Sequence, residues 1–309
     1  MSQQQYRLVT RSDFDGLVCA VLLNELNMIK EIKFAHPKDM QDGKVEITEN
    51  DITTNLPYVA AAHLVIDHHL SETLRNSSAD NYVIDPKAPS AARVVFNHFG
   101  GKQAFPNISD EMMEAVDKAD SAQYSLQEVL HPSGWVLLNY LMDARTGLGR
   151  FKEFRVSNYQ LMLDLIRYCR DHGIDEILAL PDVQERVDLY RQHEALAKEQ
   201  IRRCSRVYGN LVVLNLLHED VIHPTNRFMI YALFPDCNIS IHQLWGVNRQ
   251  NTVFAVGKSI INRSSRTNVG ALMLQYGGGG HEAAGTCQVG NDQAEDVRDE
   301  LVARIRGHG

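Results

Sequence analysis

Two acidic residues in one turn are the first candidates for metal binding. Asp13 and Asp15 follow a short apolar run and precede Gly16, after which a helical pattern begins. Because alternate residues of an extended turn point the same way, both carboxylates could converge on one cation, and Gly16 allows the sharp turn into the helix. Solvated surface turns of this composition are common, so the segment alone does not decide between a metal site and an ordinary turn.

A second candidate closes an apolar run that reads as a buried strand. Asp67, His68 and His69 stand at its carboxyl end. Crowding a carboxylate and two imidazoles together is costly unless something binds them. Oxygen ligands with one imidazole suit Mn²⁺, or Mg²⁺ more weakly, rather than structural zinc. The alternative is a capped strand end with hydrogen-bonded histidines.

The third candidate is a run of four glycines, 277–280, followed by His281 and by small residues up to Gly285. Their backbone N–H groups have no side-chain cover and could hold a phosphate. A flexible loop is the alternative, although the backbone entropy of glycine makes this run a costly choice for a linker.

The elements that must position these segments alternate in type along the first half of the chain. Short apolar runs predict strands and an amphipathic run predicts a helix, which together favour a parallel sheet covered by helices, with reactive loops at the carboxyl ends of the strands. The strands are expected at 7–10, 32–35 and 63–66, and the helix at 17–26.

Helical patterns dominate from Asp110 to about Val207, and strand patterns return after Gly209. We therefore predict an α/β fold in which a parallel-sheet N-terminal domain and a smaller α/β C-terminal domain are joined by a helical linker. The expected boundaries are 1–182 for the first domain, 183–208 for the linker and 209–309 for the second domain.

Composition excludes several classes of protein. The 309 residues carry a net charge of −8, so a general basic surface for long duplex nucleic acid is not expected. No run approaches the ~18–20 apolar residues that cross a bilayer, so no membrane partner is expected. The 5 cysteines are scattered and never in C-x-x-C spacing, which indicates a reducing cytoplasm rather than a disulfide scaffold.

One stretch departs from the acidic average. No acidic residue lies between Asp236 and Glu282, whereas Arg249, Lys258, Arg263 and Arg266 fall inside. This pattern predicts a local positive surface next to the glycine run, suited to a phosphorylated chain. A sheet with apolar, neutral faces is the alternative.

In their order and spacing, the three motifs resemble the DHH phosphoesterases that carry the DHH-associated C-terminal domain, a group with oligoribonucleases, single-strand exonucleases, cyclic-dinucleotide phosphodiesterases and exopolyphosphatase-like proteins. The resemblance covers essentially the whole chain. It implies two Mn²⁺ ions held by aspartates and histidines, with Mg²⁺ as the alternative ion, and a substrate lying between the domains.

The resemblance also assigns roles in the first domain. It implies that Asp13 binds one ion and Asp15 the other, that His68 is a further ligand, and that His69 faces the substrate phosphate with Asp67 in support.

An aspartate that bridges the ions is implied shortly before the DHH segment, and Asp51 is the choice over Asp39 and Asp42. For the last metal aspartate, Asp120 matches better than Asp117.

Other positions of the resemblance lie after the DHH segment. Ser90 matches the start of the helix that follows the DHH loop. In the second domain, the segment from Ser259 to Ser264 resembles the one that carries a substrate-binding arginine, here Arg263. The remaining implied substrate contacts come from Gly278, Gly279, Gly280 and His281.

One position departs from the family. Arg11 stands where relatives with this spacing have a metal-binding histidine, and an arginine side chain has no lone pair for a cation. One ion site is therefore weaker, differently completed or absent. His36 is a candidate replacement ligand, with a solvated loop histidine as the alternative.

These expectations combine into a Mn²⁺-dependent phosphohydrolase, a phosphodiesterase acting on short oligonucleotides or dinucleotides. The alternatives are an exopolyphosphatase-like hydrolase of phosphoanhydrides, and a nucleotide-binding sensor without catalysis. Whether the chain forms a homodimer stays open.

Overall fold

A computed structural model describes residues 4–69, 72 and 78–307, and its fold is of the predicted α/β class. The chain divides into two compact units. The first comprises Met1–Gln123, Ser133–Ala144 and Leu148–Asp188, and the second comprises Tyr124–Pro132, Arg145–Gly147 and Leu189–Gly309.

The first unit contains a five-stranded, wholly parallel sheet, as predicted. Its strands are β1 Tyr6–Thr10, β2 Ile29–Phe34, β3 Asp51–Thr54, β4 Leu64–Asp67 and β5 Tyr82–Ile84. They lie in the order β2-β1-β3-β4-β5. Strands β1, β3 and β4 are therefore neighbours, and their carboxyl ends meet at one edge of the sheet.

Helix α1 follows β1, and its first turn lies close to that edge. Helix α1 begins after Asp13, whose side chain accepts from the amide of Gly16, and its residues from Phe14 to Leu23 are all buried. Up to the second sheet the helices are α1 Phe14–Glu25, α2 Pro37–Gln41, α3 Ala91–His98, α4 Asp110–Asp120, α5 Leu126–Leu130, α6 Gly134–Met142, α7 Asn158–Asp171, α8 Ile174–Ala179 and α9 Pro181–Cys204. The division between the units falls within α9.

The second unit contains a six-stranded sheet in the order β10-β11-β9-β8-β7-β6, in which β7 and β8 are parallel and the other pairs antiparallel. Its strands are β6 Ser205–Tyr208, β7 Leu211–Asn215, β8 Ile239–Trp245, β9 Thr252–Lys258, β10 Gly279–Gly280 and β11 Ala284–Val289, and its further helices are α10 Met229–Leu233, α11 Val269–Leu274 and α12 Ala294–Gly307. Phe254, Ile241, Met273 and Leu301 are among the residues of its buried core.

Two general expectations can be compared with the described residues. Over these ranges no helix combines the length and the apolar composition that crossing a membrane requires. All five cysteines lie in the described ranges and are free thiols.

Candidate functional site

Three side chains from separate elements converge at the carboxyl edge of the first sheet. Asp15 lies in the first turn of α1, His68 follows β4, and Asp120 is the last residue of α4. Each offers a ligand atom, and these atoms lie within 4.8 Å of one another; within the described ranges this is the one group of three or more potential metal ligands. We call these three residues the ligand cluster.

Asp15 is fixed by the beginning of another helix. Its two carboxylate oxygens accept hydrogen bonds from the backbone amides of Ala91 (2.9 Å) and Ala92 (2.7 Å) in the first turn of α3, which Ser90 caps as predicted. Burial, and then the negative charge of Asp120, raise the pKa of the Asp15 carboxyl. The folded chain therefore holds a carboxylate whose charge its protein neighbours compensate incompletely.

His68 presents a nitrogen lone pair to two carboxylates. Its Nδ1 lies 3.1 Å from the carbonyl oxygen of Ala88, which can only accept, so Nδ1 carries the proton. Its Nε2 lies 3.0 Å from Oδ2 of Asp120 and 3.9 Å from Oδ2 of Asp15. This Nε2 is buried and makes no hydrogen bond of good geometry within the described structure.

A lone pair that faces carboxylates is stable only with a cation between them. Without a metal that cation is a proton: burial lowers the pKa of His68, but Asp120 and Asp15 outweigh burial and raise it to about 9. With a divalent ion, two carboxylates and one imidazole form a suitable donor set, and the bond from Nδ1 to a backbone carbonyl is the usual support of a metal-binding histidine. The ligand cluster thus fits a divalent cation.

Asp67 and His69 form a second pair beside the ligand cluster. Nδ1 of His69 lies 2.7 Å from Oδ1 of the fully buried Asp67. Burial lowers the pKa of His69, but the bond to Asp67 outweighs it and the pKa is raised. Oδ2 of Asp67 is buried and has no hydrogen-bond partner in the described part of the chain. Asp67 therefore orients the His69 ring through its Nδ1.

Asp13 belongs to a different group of side chains. Its Oδ1 accepts from the amide of Gly16 (3.0 Å) and from Nδ2 of Asn55 (3.1 Å), and its Oδ2 lies 2.9 Å from Nε of Arg11. We call Arg11, Asp13 and Asn55 the Asp13 cluster. Asn55 is buried, has a positive φ of 54° and keeps an Oδ1 without a partner among the described residues.

The choice of Asp51 as bridging ligand is not supported by its position. Asp51 begins β3, so it lies at the amino end of the strand, opposite the ligand cluster. Its carboxylate contacts Nε of Arg7 (2.6 Å) and the amide of Thr48 (2.7 Å). Burial would raise the pKa of Asp51, but Arg7 and Thr48 outweigh it and lower it. At the carboxyl end of β3, beside Asp13, the chain has Asn55, which a search for acidic residues passes over.

The other candidates near α2 are also remote from the ligand cluster in their contacts. Asp39 and Asp42 form ion pairs with lysines, Asp42 with Lys38 and both with Lys44. His36 caps α2, and its Nδ1 accepts from the amide of Lys38. His36 is thus the capping residue of α2, a role that neither the replacement ligand nor the solvated loop histidine describes.

Asp117 and Asp120 stand one turn apart on α4 but have different partners. Asp117 accepts from Oγ of Ser90 (2.7 Å) and from Nε of Arg93 (2.8 Å), so it anchors the beginning of α3. Asp120 lies in the ligand cluster. The structure brings Asp120, the preferred candidate, to His68 and gives Asp117 a structural role.

In the glycine run of the second unit, several backbone amides already donate hydrogen bonds within the chain. The amides of Gly277 and Gly278 donate to the carbonyls of Leu274 and Met273, and the amide of His281 donates to Ala284. Gly279 and Gly280 form β10, at the edge of the sheet. Two of the four glycine amides proposed to hold phosphate, and the neighbouring amide of His281, are therefore already engaged, so the run is not an open loop.

Close packing explains two of the four glycines of the run. A Cβ on Gly278 would overlap the carbonyl oxygen of Thr286, and one on Gly280 would overlap that of Ala284. A Cβ on Gly270 of α11 would lie 2.6 Å from the carbonyl oxygen of Gly280. Gly279, by contrast, has nothing within 4 Å of its Cβ position. The motif lets α11, β10 and β11 approach each other.

Arg263 and His281 lie on loops at one end of the second sheet. The amide of Lys258, which ends β9, donates to the carbonyl of Ala283, so the loop after β9 and the turn before β11 are adjacent. Both side chains are exposed. This end of the sheet presents polar side chains to solvent.

The remaining members of the predicted basic surface do not form one patch. Arg249 precedes β9, so about 20 Å of strand separates it from Lys258. Lys258 itself pairs with Glu282. Tyr276, a candidate for stacking a base, packs against the core of the second unit and donates to Glu300. The acid-free stretch therefore spreads over both ends of the sheet.

Known proteins resemble the chain over its full length. The solved structure of the pGpG-specific phosphodiesterase PggH from Vibrio cholerae is 62% identical, with a TM-score of 0.86, and the match covers 99% of this chain and 100% of that one. RecJ from Thermus thermophilus, in complex with Mn²⁺, is 12% identical with a TM-score of 0.55, and the match covers 99% of this chain and 53% of RecJ. CDC45 from Entamoeba histolytica is 8% identical with a TM-score of 0.50, covering 98% and 95%.

The likenesses to RecJ and CDC45 concern the fold alone. The likeness to the pGpG-specific phosphodiesterase is close enough in sequence to establish that both chains belong to one family. No protein-family model matches the chain, and no curated protein sequence does.

Proposed function

The chain belongs to the DHH phosphoesterase family, and we propose that it is a divalent-metal-dependent phosphodiesterase that hydrolyses short linear dinucleotides of the pGpG type. The observation that carries this proposal is the 62% identity over the full length of a pGpG-specific phosphodiesterase. The ligand cluster, at the carboxyl edge of the parallel sheet, supports it with a donor set for the cation that such chemistry uses.

In this proposal Asp15, His68 and Asp120 hold the cation, with Mn²⁺ as the preferred ion and Mg²⁺ as the alternative. When bound, the cation supplies Lewis-acid stabilisation of the charge that develops on the scissile phosphate. The amides of Ala91 and Ala92 keep Asp15 in place, and the Ala88 carbonyl keeps the His68 ring in place, so neither ligand has to reorganise on binding.

His69 serves the substrate rather than the cation. Because Nδ1 of His69 is bonded to Asp67, Nε2 is the ring nitrogen that would donate to a phosphate oxygen. Asp67 acts through His69 as a positioning residue, in the way that a buried carboxylate fixes the tautomer of a histidine.

The second unit supplies recognition of the rest of the substrate. Arg263 and His281, both exposed on adjacent loops, are the proposed contacts to its second phosphate or to its base. The glycines between 277 and 280 support this end of the sheet through packing and do not act as the main anion site. A cytoplasmic location fits the five free thiols.

A substrate screen with the purified full chain tests the proposal. The substrates are pGpG, a second linear dinucleotide, a cyclic dinucleotide, a longer RNA oligonucleotide, polyphosphate and bis(p-nitrophenyl) phosphate. We expect linear dinucleotides to be converted to mononucleotides fastest, with activity lost in a chelator and restored by Mn²⁺ better than by Ca²⁺. Preferred hydrolysis of polyphosphate, or dinucleotide hydrolysis that survives the chelator, would overturn it.

A further inference from the structure

The two aspartates of the turn, Asp13 and Asp15, face partners of opposite charge. This difference bears on how many ions the chain can hold. Asp15 accepts from two neutral amides and faces another carboxylate. Asp13 faces the guanidinium of Arg11 and two N–H donors, those of Gly16 and Asn55. A carboxylate has about four lone-pair directions; two hydrogen-bond donors and the ion pair with Arg11 already engage that of Asp13.

Asn55 turns a donor toward Asp13. Its Nδ2 lies 3.1 Å from Oδ1 of Asp13, and the reverse amide orientation would set two oxygen atoms against each other. Asn55 is buried and hydrogen-bonded through its own amide to the carbonyl of Ile66, so β3 and β4 hold it in place. The carboxyl end of β3 thus places Asn55 between Asp13 and the end of β4. A ligand that bridges two cations at this position would need a negative charge, and the side chain of Asn55 is neutral.

The formal charges of the two clusters also differ. With His68 neutral, the ligand cluster carries two negative charges, from Asp15 and Asp120, which match one divalent cation. In the Asp13 cluster the positive charge of Arg11 cancels the negative charge of Asp13, and Asn55 adds none. A second divalent ion placed there would meet a guanidinium and no uncompensated carboxylate.

Arg11 keeps hydrogen-bonding capacity for a ligand. Its Nε lies 2.9 Å from Oδ2 of Asp13, and its side chain is 36% exposed, so part of the guanidinium is accessible to a ligand. A guanidinium held at one edge and partly accessible is suited to bind a phosphate bidentately.

We propose that this chain holds one divalent ion, at Asp15, His68 and Asp120, in place of the two that the family resemblance implies, and that Arg11, held by Asp13, supplies the other positive charge to the substrate phosphate. Asn55 positions Asp13 for this role. The part concerning phosphate rests on the proposed phosphodiesterase function, whereas the part concerning the number of ions does not.

The number of ions is measured without substrate. Isothermal titration of the metal-free full chain with Mn²⁺, with elemental analysis after desalting, should give one ion per chain, and electron paramagnetic resonance should show the signal of isolated Mn²⁺. Two ions per chain or an exchange-coupled signal would overturn the proposal. Because no turnover is needed, this result stands even if the chain does not hydrolyse dinucleotides.

Matched variants separate the two aspartates. Asp15→Asn should abolish Mn²⁺ binding, whereas Asp13→Asn should still bind one ion, with an affinity lowered but not lost, because Asp13 is not a ligand and only the unpaired charge of Arg11 opposes the ion. The double variant Arg11→His with Asn55→Asp should gain a second ion. If Asp13→Asn loses the ion as Asp15→Asn does, Asp13 is a ligand and the proposal is wrong.

The role of Arg11 is measured with a non-hydrolysable dinucleotide analogue. Arg11→Ala should weaken binding of the analogue roughly ten- to a hundredfold, the range for hydrogen bonds to a charged group, while the ligand cluster still binds Mn²⁺. Arg11→Lys should recover only part of that loss, since a lysine cannot bind bidentately. Unchanged binding of the analogue by Arg11→Ala would show that Arg11 only neutralises Asp13.

Discussion

Asp15 and Asp51 are both buried carboxylates of the first unit, at opposite ends of its parallel sheet, yet their pKa values shift in opposite directions. At the carboxyl end, burial and Asp120 raise the pKa of Asp15. At the amino end, Arg7 and the amide of Thr48 outweigh burial and lower the pKa of Asp51. The negative charge of Asp15 is thus not compensated by its protein neighbours, whereas that of Asp51 is. A missing counter-charge, more than an acidic residue as such, therefore marks the site.

The sharpest test of this contrast replaces each aspartate by asparagine. Asp15→Asn should lower kcat/KM for a dinucleotide by about a thousandfold or more, because a ligand and a charge that hold the cation are lost together. Asp51→Asn should leave kcat/KM within about twofold but reduce the free energy of unfolding by roughly 1.5–3 kcal/mol, because the Arg7 guanidinium loses its charged acceptor. Steady-state kinetics and denaturant unfolding check both. Equal activity losses in the two variants would contradict the contrast.

The same contrast has a pH signature in the metal-free chain. The pKa of Asp15 and that of His68 are raised above the unfolded values, so the stability that these groups contribute is complete at low pH and is lost as pH rises toward the folded pKa, about 9 for His68. Asp51 has a lowered pKa, so its contribution is present above the unfolded pKa and is lost as pH falls. Asp15→Asn should therefore flatten the alkaline limb of a plot of unfolding free energy against pH, and Asp51→Asn the acid limb.

The second sheet offers a parallel comparison between its two ends. Arg263 follows the end of β9, whereas Arg249 precedes its beginning, with the guanidinium 5.9 Å from the centre of the Trp245 ring. Arg263→Ala should reduce kcat/KM on a dinucleotide about 10- to 150-fold, the equivalent of 1.5–3 kcal/mol, because binding energy from the non-reacting part of the substrate is lost. Arg249→Ala is the matched control and should change little.

A small phosphodiester separates recognition from chemistry. Bis(p-nitrophenyl) phosphate, which reaches only the ligand cluster, should be hydrolysed by Arg263→Ala almost as fast as by wild type. If Arg263→Ala slows both substrates equally, Arg263 serves the chemistry or the fold. If Arg249→Ala shows the dinucleotide defect instead, the substrate uses the opposite end of the sheet.

A third comparison lies inside the glycine run. Gly278→Ala should destabilise the chain by about 1–3 kcal/mol, because the added methyl group overlaps the backbone of β11. Gly279→Ala adds the same methyl group where nothing lies within 4 Å, so its melting temperature should stay close to that of wild type. Differential scanning calorimetry of both variants measures these changes in stability. Should Gly279→Ala instead lose dinucleotide affinity while remaining stable, its open face is part of the substrate site.

Much of this arrangement could be predicted from the sequence, and the failures have physical causes. The parallel sheet and the convergence of Asp15 and His68 follow from strand ends meeting at one edge, which local patterns reveal. Asp117 and Asp120 lie on nearly the same face of one helix, so helical spacing alone does not distinguish them, and only the family resemblance favours Asp120. In the structure Asp117 is bound by Ser90 and Arg93 instead. Strand β3 has only four residues and ends in two threonines, so no apolar run in the sequence indicates its bounds.

The short strand β3 also explains why Asp51 was the candidate for the bridging ligand. Without the bounds of β3, an acidic residue at its beginning and a neutral one just after its end, Asn55, could not be assigned to opposite edges of the sheet. The sequence also does not show which backbone amides of the glycine run remain available to a phosphate. Their availability depends on how α11 and β11 pack against the run, and residues that neighbour it along the chain do not determine this packing.

The smallest expected effect concerns Tyr276, next to the glycine run. A base stacked on an aromatic side chain contributes about 1–3 kcal/mol, so removing a stacking ring weakens binding at least several-fold. The Tyr276 ring instead packs against the core of the second unit, its hydroxyl donates to Glu300, and the Arg304 guanidinium lies 5.7 Å from the ring centre. Tyr276→Leu should therefore lower the melting temperature modestly and change the affinity for a non-hydrolysable dinucleotide analogue by less than about twofold. A several-fold loss of affinity at unchanged stability would show that the ring faces the substrate, and would move the recognition surface from the loops of Arg263 and His281 toward the end of α11.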